Sequence, residues 1–401
     1  MHKTTVFILG GGYAGMMAAV RLAGRTRRQS VSITLVNATD CFVERPLLHE
    51  VATGKPAKKL PMERLLKGTG VEFRQGWVSA IDPNTDTIVV VGGEKLHYDY
   101  LIYALGSRVD RNSVPGVDQY AYTLDPFGPR STQALITRLA APEPNQVMVA
   151  GSGPTGIEAA AAVAERFPHH KVRIVTANEF AAFADAGVRA HMRRALHNLD
   201  VGVMEYAPIA RVEEDDVILQ NGDVIPADLC IWAGGFRAIP LARESGLLTN
   251  RRDQVLVDPA LRALSHPNIF VAGDSAAPIH ATGAPPRMSL LFGLVTGAHA
   301  ADSLDLVLQG KEPRPFGFST YGQSIALGSR DAVGFGTFPN DRRLGPMMTG
   351  LVAVSVRTFF VERLREMIDW ERRIPGSFFW LGRGRGVDST ATPYHEAKQT
   401  S

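Results

Sequence analysis

Residues Thr4 to Leu22 read TTVFILGGGYAGMMAAVRL, and this stretch decides the fold of the N-terminal part of the chain. Its apolar, β-branched beginning predicts a strand, its glycines predict a tight turn, and the small residues that follow predict a helix. A second strand is predicted over Val31 to Val36, at the spacing of a βαβ unit. The stretch therefore predicts a dinucleotide-binding site at the turn.

Each glycine of this fingerprint has its own physical role. Gly10 permits the turn, and Gly12 lets the backbone come close to a pyrophosphate. Gly15 lets the helix pack closely on the strand, while the N–H groups of the first helical turn face the phosphates. The residues expected to bind the nucleotide here are Gly10, Gly12, Tyr13, Ala14 and Gly15.

The same construction returns at Gln146 to Val163, which read QVMVAGSGPTGIEAAAAV. Gly151, Gly153 and Gly156 hold the three fingerprint positions. Each such unit organises about 100 residues or more, so 401 residues have room for two units and a smaller region. We expect an α/β protein with two Rossmann-like dinucleotide-binding domains plus a small C-terminal region. Two nucleotide sites in one chain indicate that something passes between two bound cofactors.

Composition sets the broad class of the protein. With 45% hydrophobic and 21% charged residues, the chain has an ordinary globular composition. A net charge of +3 does not indicate nucleic acid as a partner. The predicted first strand begins at Thr4, after Met1, His2 and Lys3, which leaves no room for a signal peptide, so a cytoplasmic location is expected. The longest apolar run, Met288 to Ala301, is shorter than a membrane-spanning helix and is interrupted by glycines and His299.

The cysteine and histidine content excludes two kinds of chemistry. Cys41 and Cys230 are the only cysteines and form no CxxC or CxxxxC motif, which excludes a dithiol relay of the disulfide-reductase kind. We expect both to be buried and inert. The eleven histidines show no metal-ligand spacing, so no metal site is expected.

In each of the two predicted units, the strand that follows the fingerprint helix ends without the acid that usually binds the adenosine ribose. The first ends at Asn37, whose amide oxygen can still accept one ribose hydrogen bond; a strand-end asparagine that stabilises a turn is the alternative. The strand in the second unit ends at Thr176. Arg173 and Glu179 nearby favour opposite nicotinamide nucleotides, so the preference between NADH and NADPH stays open.

The segment from Pro46 to Gly54, PLLHEVATG, closely resembles the PLLYEVATG segment of type II NADH dehydrogenases. These single-chain flavoproteins oxidise NADH and reduce a quinone. The resemblance implies that Arg45, Pro46 and Leu47 bind the cofactor, with Pro46 and Leu47 beside the flavin ring. A helix start with a proline in its first turn is the other interpretation, and it fits the same placement.

Three more segments are similar to the same family. The strand ending at Gly106 resembles its LxxATG segment, with Leu105 in place of the threonine, and implies a position near the FAD phosphates. A strand that closes on Gly234 and Gly235 is similar to its WAAG segment, where glycines let the nicotinamide approach. Asp274 matches its GD motif, and an aspartate at a strand's carboxyl end can accept from the FAD ribityl hydroxyls. Plain strand ends, and a helix N-cap for Asp274, are the alternatives.

Glu158 lies one turn into the helix of the second fingerprint. The helix dipole favours an acid there, and the family carries a glutamate at this position that faces the nicotinamide. The resemblance implies a catalytic role for Glu158, as a carboxamide or proton-relay contact. Simple stabilisation of the helix N-terminus is the alternative.

The resemblance weakens after the GD motif. The family's AQxxxQ pattern, which lines its quinone pocket, has no counterpart in Arg287 to Gly293, where there is no glutamine. An apolar pocket of Met, Leu and Phe could hold a quinone headgroup or another planar acceptor. Gln323 falls in a segment similar to the start of the family's C-terminal part.

The segment from Leu351 to Arg385 combines seven arginines and four acids with several aromatic residues. A helical apolar stripe is expected at Leu351, Val354, Phe360, Leu364, Met367 and Ile368. The aromatic residues Phe359, Trp370, Phe378, Phe379 and Trp380 with the arginines resemble a basic surface for a membrane interface, by which family members attach peripherally. Peripheral contact at the inner face of the plasma membrane is one interpretation. Packing on the core or in a homodimer interface is the other.

The domain bounds follow from these assignments. We expect an FAD-binding domain at 1–115 and 258–312, an NAD(P)-binding domain at 116–257, a C-terminal region at 313–386 and a disordered tail at 387–401. The function implied by the resemblance is hydride transfer from NAD(P)H to FAD and then electron transfer to a quinone-like acceptor. A soluble flavin oxidoreductase acting on a small metabolite or electron carrier, and a non-enzymatic nucleotide-binding sensor, are the alternatives.

Overall fold

A computed structural model describes residues 3–142, 145–278, 287–319, 321–338 and 342–383. The tail expected to be disordered, 387–401, lies outside the described residues. Within the first range the strands are β1 (Thr4–Leu9), β2 (Val31–Asn37), β3 (Glu72–Gln75), β4 (Val78–Asp82), β5 (Thr87–Val90), β6 (Glu94–His97), β7 (Tyr100–Tyr103) and β8 (Ser107–Val109). The helices there are α1 (Tyr13–Arg25), α2 (Leu48–Ala52), α3 (Met62–Leu66), α4 (Val117–Tyr120) and α5 (Thr132–Leu139), with a 3-10 turn at Arg45–Leu47.

The second range holds the other fingerprint. Its strands are β9 (Gln146–Ala150), β10 (Lys171–Val175), β11 (Gly202–Met204), β12 (Ile209–Val212), β13 (Asp216–Leu219), β14 (Val224–Pro226), β15 (Leu229–Trp232), β16 (Phe236–Ala238), β17 (Val255–Leu256), β18 (Ile269–Val271) and β19 (Ala276–Ala277). Its helices are α6 (Pro154–Arg166), α7 (Ala186–Asn198) and α8 (Leu241–Glu244), with a 3-10 turn at Gly273–Ser275. The remaining elements are α9 (Leu290–Leu308), β20 (Tyr321–Ala326), β21 (Ala332–Thr337), β22 (Arg343–Thr349) and α10 (Gly350–Arg373).

Two parallel sheets carry the two fingerprints. The first has the strand order β18-β7-β1-β2-β3, and the second has the order β11-β10-β9-β15. Parallel sheets are covered on both faces, so their strands are apolar almost throughout; in β1 the last four residues are all buried. The chain returns to the first sheet when β18 pairs with β7, with Val271 opposite Tyr103. The domain bounds themselves stay a prediction.

The smaller sheets of the described residues are the antiparallel pair β8-β16, the parallel pair β17-β19 and three three-stranded antiparallel sheets. The first of the three-stranded sheets, β4-β5-β6, is a meander, and Gly92 and Gly93 form the turn between β5 and β6 with φ of +107° and +86°. Strand β3, which precedes the meander, belongs to the first parallel sheet, where Glu72 lies opposite Thr34. The other two three-stranded sheets are β12-β13-β14 and β20-β21-β22.

Helix α9 packs backbone to backbone on α1. A Cβ added at Gly297 would lie 2.2 Å from the Ala14 carbonyl oxygen, so only glycine allows this approach. Among the described residues, α9 alone is long and apolar enough to cross a membrane, but 72% of its most apolar 18-residue window is buried inside the protein. The expectation that the apolar segment at Met288–Ala301 is shorter than a membrane-spanning helix is wrong, because α9 has 19 residues. The burial of α9 against α1 explains why the helix is apolar.

A buried ionic cluster fastens the C-terminal end of α10 to α1 and α9. Arg21, which is fully buried, donates to Asp302 at 2.8 Å and to Glu371 at 3.1 Å. Glu371 also accepts from the backbone N–H groups of Gly376 and Phe378, both at 2.7 Å. Because every donor and acceptor in this cluster has a partner, the chain after α10 is held against the first parallel sheet's helical layer.

The predicted stripe on α10 is partly wrong. Ile368 is buried and Leu364 and Met367 pack against the core, but Leu351 and Phe360 are exposed. The buried side of the helix instead includes Ala353, Arg357 and Glu371. Arg357 and Glu371 are buried because they pair with charged side chains of other helices, which the sequence of α10 alone does not reveal.

Candidate active site

The first fingerprint leaves one open approach to its backbone. Gly10 has φ of +97°, and a Cβ there would lie 2.4 Å from the Ala104 carbonyl oxygen. A Cβ on Gly15 would lie 1.8 Å from the Gly10 carbonyl oxygen, whereas a Cβ on Gly12 would meet nothing within 4 Å. Closed positions flank an open one, and this arrangement fits a pyrophosphate that approaches at Gly12.

Tyr13 and Ala14 point into the protein rather than toward this opening. Tyr13 is buried, and its ring meets the Phe42 ring edge-on with centroids 4.8 Å apart. Burial raises the pKa of Tyr13 above its usual value, and the negative charge of Glu44 raises it further. Among the described residues the Tyr13 hydroxyl has no hydrogen-bond partner. A cofactor contact by the backbone of these two residues stays a prediction.

Asn37 stabilises the turn at the end of β2. Its Oδ1 accepts from the Gly11 N–H at 2.8 Å, and its Nδ2 donates to the Thr39 carbonyl oxygen at 2.9 Å. These bonds are those of the alternative interpretation, a strand-end asparagine that holds a turn. The side chain is only half-buried, and a ribose contact stays a prediction.

Three predicted site residues, Arg45, Gly106 and Asp274, meet at the carboxyl ends of β7 and β18. Asp274 Oδ2 accepts from the Ser107 hydroxyl at 2.6 Å, and Arg45 Nη1 donates to the Ser107 carbonyl oxygen at 2.8 Å. The Gly106 N–H donates to Ser275 Oγ at 2.8 Å. Asp274 belongs to the 3-10 turn and is not a helix N-cap. Burial raises the pKa of Asp274, although the Ser107 hydrogen bond and the charge of Arg45 oppose the shift.

Pro46 and Leu47 are placed by the same network. They form the 3-10 turn that begins at Arg45 and leads directly into α2, with the proline in the first turn. Both are only partly buried. Because Arg45 is bonded to Ser107, this turn is fixed close to the edge of the first sheet where Asp274 lies.

The second fingerprint repeats the geometry of the first. Gly151 has φ of +111°, and a Cβ there would lie 2.5 Å from the Ala233 carbonyl oxygen. A Cβ on Gly156 would lie 2.0 Å from the Gly151 carbonyl oxygen. Gly153 is open, with nothing within 4 Å. At the neighbouring strand end, the Trp232 ring closes Gly234, while Gly235 is open at φ of +135°.

Glu158 connects three parts of the molecule. Its Oε1 accepts from Arg357 Nη2 of α10 and from the Ala326 N–H, both at 3.0 Å. Its Oε2 lies 3.8 Å from Nδ1 of His49, which belongs to α2. The helix of the second fingerprint therefore lies directly against the PLLHEVATG segment.

The group around Glu158 is largely shielded from water. Burial lowers the pKa of His49, and the charges of Glu158 and Glu50 counteract this only partly. Glu50 also faces Arg357 Nη1 at 3.6 Å and binds Lys55. Burial alone would raise the pKa of Glu50, but the bond and charge of Lys55 hold that pKa below its usual value. Because His49 is neutral near pH 7, the charge of Glu158 is balanced by Arg357.

Sequence reasoning missed the role of Arg357. Its segment was open to two interpretations, a basic membrane-facing surface or packing on the core, and neither assigned Arg357 a buried ion pair. Its side chain is only 8% exposed and is paired with two carboxylates. A lone arginine among apolar residues on one helical side is the signal that could have indicated a buried ion pair.

The cysteines are both free, but their burial differs. Cys230 is buried in β15, and burial raises its thiol pKa to about 12. The expectation of burial is wrong for Cys41, which is only half-buried. Its backbone forms an isolated antiparallel β-bridge with Pro61. Within the ranges that the structure describes, no group of three or more His, Cys, Asp or Glu side chains could hold a metal ion.

Residues 4–301 match the family described as pyridine nucleotide-disulphide oxidoreductase. The chain belongs to this family of oxidoreductases. The family's name refers to a disulphide, but the two cysteines of this chain lie on separate elements and are free. The opening stretch and both fingerprints fall inside the matched residues.

Individual relatives are similar over most of the chain. Demethylphylloquinone reductase NdbB of Synechocystis sp. is 27% identical over 404 residues, covering 96% of this chain and 97% of the relative. Type II NADH:quinone oxidoreductase of Staphylococcus haemolyticus is 26% identical, covering 83% of this chain and 89% of the relative. These relatives confirm the predicted resemblance to type II NADH dehydrogenases.

A solved structure confirms the fold. The sulfide:quinone oxidoreductase from Aquifex aeolicus superposes with a TM-score of 0.79 at 19% identity, covering 97% of this chain and all of the other. The prediction of an α/β protein with two dinucleotide-binding units is therefore confirmed.

Proposed function

We propose that this protein is an FAD-dependent NAD(P)H:quinone oxidoreductase. The observation that carries the proposal is the contact between the two nucleotide units, where Glu158 of the second fingerprint helix lies 3.8 Å from His49 of the PLLHEVATG segment. Two sites that share a wall can bring a nicotinamide and a flavin together. The relatives that are named for NADH and quinone or for demethylphylloquinone support the same donor and acceptor classes.

The residues of the first unit would hold FAD. The open backbone at Gly12 would receive the pyrophosphate, with Gly10 and Gly15 shaping the turn. Asp274, oriented by Ser107, would accept from the ribityl hydroxyls, and Gly106 would lie nearby. Arg45, Pro46 and Leu47 would line the ring, and Asn37 would lie by the ribose. When bound, FAD supplies the two-electron chemistry that links a hydride donor to a quinone.

The residues of the second unit would hold NAD(P)H. Gly153 leaves the backbone open for the pyrophosphate, and Gly151 and Gly156 fix the turn. Gly235 is open at the end of the neighbouring strand, beside Gly234, where the nicotinamide would enter. Glu158 would contact the carboxamide or take part in proton relay through its Oε2, the oxygen that faces His49.

The reaction balances with one proton from solvent. NAD(P)H gives a hydride, and a quinone needs two electrons and two protons to become a quinol. His49 and Glu158 are the titratable groups at the wall between the two units, and their atoms Nδ1 and Oε2 face each other. These two groups are the chain's candidates for delivering the proton.

We also propose that α10 makes peripheral contact with a membrane surface. Val352, Phe359 and Trp370 are exposed on the side of the helix opposite to Arg357 and Ile368. An apolar helical face next to arginines is suited to a lipid interface. A quinone dissolved in lipid would reach such an enzyme at the membrane surface.

The experiment that tests the main proposal uses the purified full-length protein. We expect a yellow protein whose flavin absorbance is bleached by NADH or NADPH without oxygen and returns when a short-chain quinone is added. Bleaching without recovery on any benzoquinone or naphthoquinone would overturn the acceptor. A colourless protein that does not take up FAD would overturn the whole proposal, and with it favour the sensor alternative.

A further inference from the structure

Segment 55–67, which reads KPAKKLPMERLLK, is rich in positive charge and lies just after the PLLHEVATG segment. Its five cations, all exposed, are Lys55, Lys58, Lys59, Arg64 and Lys67. The segment has one acid, Glu63. Only Lys55 touches the group around Glu158, through its bond to Glu50. The other four cations lie outside the proposed catalytic site.

The apolar residues of this segment hold it on the first unit. Met62 and Leu66 of α3 are buried in the core. The backbone is fixed as well, since the Phe42 N–H donates to the Leu60 carbonyl oxygen at 2.8 Å and the Met62 N–H donates to the Asp40 carbonyl oxygen at 2.7 Å. Because the apolar side chains are turned inward, the charged side chains are left in solvent.

The same segment lies along the second half of α10. Lys58 Nζ donates to Glu362 Oε1 at 3.4 Å, and Glu362 is itself exposed. Arg372 Nη1 donates to the Lys67 carbonyl oxygen at 2.7 Å. Residues 59–66 come between these two contacts in the chain. The segment is therefore a neighbour of the helix that we propose to touch a membrane.

The arginines of α10 are all neutralised by acids. The pairs are Arg357 with Glu158 and Glu50, Arg363 with Glu366, Arg365 with Glu44, and both Arg372 and Arg373 with Asp369. In segment 55–67, by contrast, Lys59, Arg64 and Lys67 form no ion pair with any described residue. The unbalanced positive charge beside α10 therefore comes from this segment.

We propose that segment 55–67 binds the headgroups of anionic phospholipids through Lys59, Arg64 and Lys67. This inference rests on the proposed membrane contact of α10 and adds the chemistry of the lipid to it. The exposed side of α10 supplies an apolar contact that is independent of lipid charge. Each cation near an anionic bilayer strengthens binding about fivefold. Cations beside an exposed apolar helix suit a bilayer, because its headgroups and acyl chains bind both at once.

The test is flotation of the purified full-length, FAD-loaded protein with two kinds of vesicle. One kind is phosphatidylcholine alone, and the other is an equal mixture of phosphatidylcholine and phosphatidylglycerol. The wild-type protein should bind the mixed vesicles more tightly, and raising the salt from about 0.1 M to about 1 M should remove the difference. In Lys59→Gln/Arg64→Gln/Lys67→Gln, binding to the mixed vesicles should weaken about 100-fold, and binding to phosphatidylcholine alone should not change.

The matched control is Lys171→Gln/Arg194→Gln/Arg251→Gln, which removes three exposed cations outside segment 55–67 and α10. Its binding to the mixed vesicles should stay within about threefold of the wild type. Equal losses in the two triple variants would reveal an effect of net charge only and would overturn the inference. Wild-type protein that binds both kinds of vesicle equally well would also overturn it, and would leave the apolar contact of α10 intact.

Two further results separate this inference from the proposed function. Wild-type protein that floats with neither kind of vesicle would overturn the membrane contact of α10 together with the lipid inference. All three proteins should oxidise NADH or NADPH equally fast with a water-soluble short-chain quinone, because the six substituted residues lie outside the proposed catalytic site. No turnover in any of them would overturn the oxidoreductase function, while the vesicle results would still decide the lipid inference.

Discussion

Arg357 Nη2 donates a hydrogen bond to Glu158 Oε1 at 3.0 Å, across 199 residues of sequence. The pair joins the C-terminal helix α10 to the first turns of the second fingerprint helix. It lies almost out of contact with water, since the two side chains are 8% and 13% exposed. Removing one partner leaves a buried charge without compensation, which costs far more than losing a surface ion pair.

The first prediction concerns this pair. Arg357→Met should lower the free energy of unfolding by about 3 kcal/mol, because Glu158 and Glu50 then lose their shared counter-charge. Chemical denaturation followed by circular dichroism measures the loss. Arg363→Met is the matched control, since Arg363 lies on the same helix and makes an exposed pair with Glu366; its loss should stay below about 1 kcal/mol. Equal losses in both variants would contradict the assignment.

A second prediction concerns Glu371, which is fully buried and accepts from Arg21 and two backbone N–H groups. Glu371→Gln removes one of the two carboxylates that balance Arg21, the other being Asp302, and the free energy of unfolding should fall by about 3 kcal/mol. Limited proteolysis should then cleave within residues 374–383, which Glu371 holds in place. Glu362→Gln, an exposed acid of the same helix, should change neither quantity. Unchanged protease resistance in Glu371→Gln would refute the role of this cluster.

The pH dependence of stability should report on His299. Burial lowers its pKa to about 4, while the nearby charge of Asp302 acts in the opposite direction. The unfolded chain takes up the proton near pH 6.5, and the folded protein takes it up only near pH 4. Stability from this group is therefore full above pH 6.5 and falls by about 3 kcal/mol as the pH drops to 4.

The variant that checks this is His299→Gln, measured by unfolding between pH 7 and pH 4. Its stability should fall less steeply with pH than that of the wild type. Some slope should persist, because burial also lowers the pKa of His49. His197→Gln, at an exposed position on α7, should keep the wild-type slope. Identical slopes in all three proteins would rule out a buried neutral His299.

Substitution by alanine should have different effects at Gly153, where there is space for a Cβ, and at Gly156, where there is none. Gly153→Ala adds a Cβ with nothing within 4 Å and with an ordinary φ of −71°, so the melting temperature should hold. The KM for NADH should rise about tenfold, because the methyl group takes the space for the pyrophosphate. Gly156→Ala, whose Cβ would lie 2.0 Å from a carbonyl oxygen, should instead cost about 2 kcal/mol of stability. Loss of stability in Gly153→Ala with unchanged KM would contradict the open-cradle interpretation.

Membrane contact gives the last prediction. The triple variant Val352→Ser/Phe359→Ser/Trp370→Ser should release the protein from vesicles of mixed anionic and zwitterionic phospholipid in a flotation assay, because it removes the exposed apolar face of α10. Trp77→Ser/Val91→Ser is the matched control, since both residues are exposed elsewhere, beside the strands of the β4-β5-β6 sheet. If the wild-type protein does not float with vesicles, the exposed face has another partner, such as a second copy of the chain.

Local residue patterns predicted the parts of the site that depend on local geometry. The strand, turn and helix of each fingerprint follow from periodicity and glycine placement, and the open positions at Gly12 and Gly153 follow from the same spacing. Asp274 could be placed at a strand's carboxyl end because the strand before it is a continuous apolar run. The family resemblance then supplied the identity of the bound groups.

The sequence by itself determined the two nucleotide units, their order and their resemblance, because each unit is encoded within about 30 neighbouring residues. Only the tertiary structure decided what Glu158, Arg357, Arg21 and Glu371 do. Their partners lie 199 and 350 residues away, and a charge pattern along one helix does not reveal which distant carboxylate will neutralise it. A charge removed from water is costly unless it is paired, so these buried side chains form ion pairs with distant parts of the chain and thereby hold separate elements of the fold together.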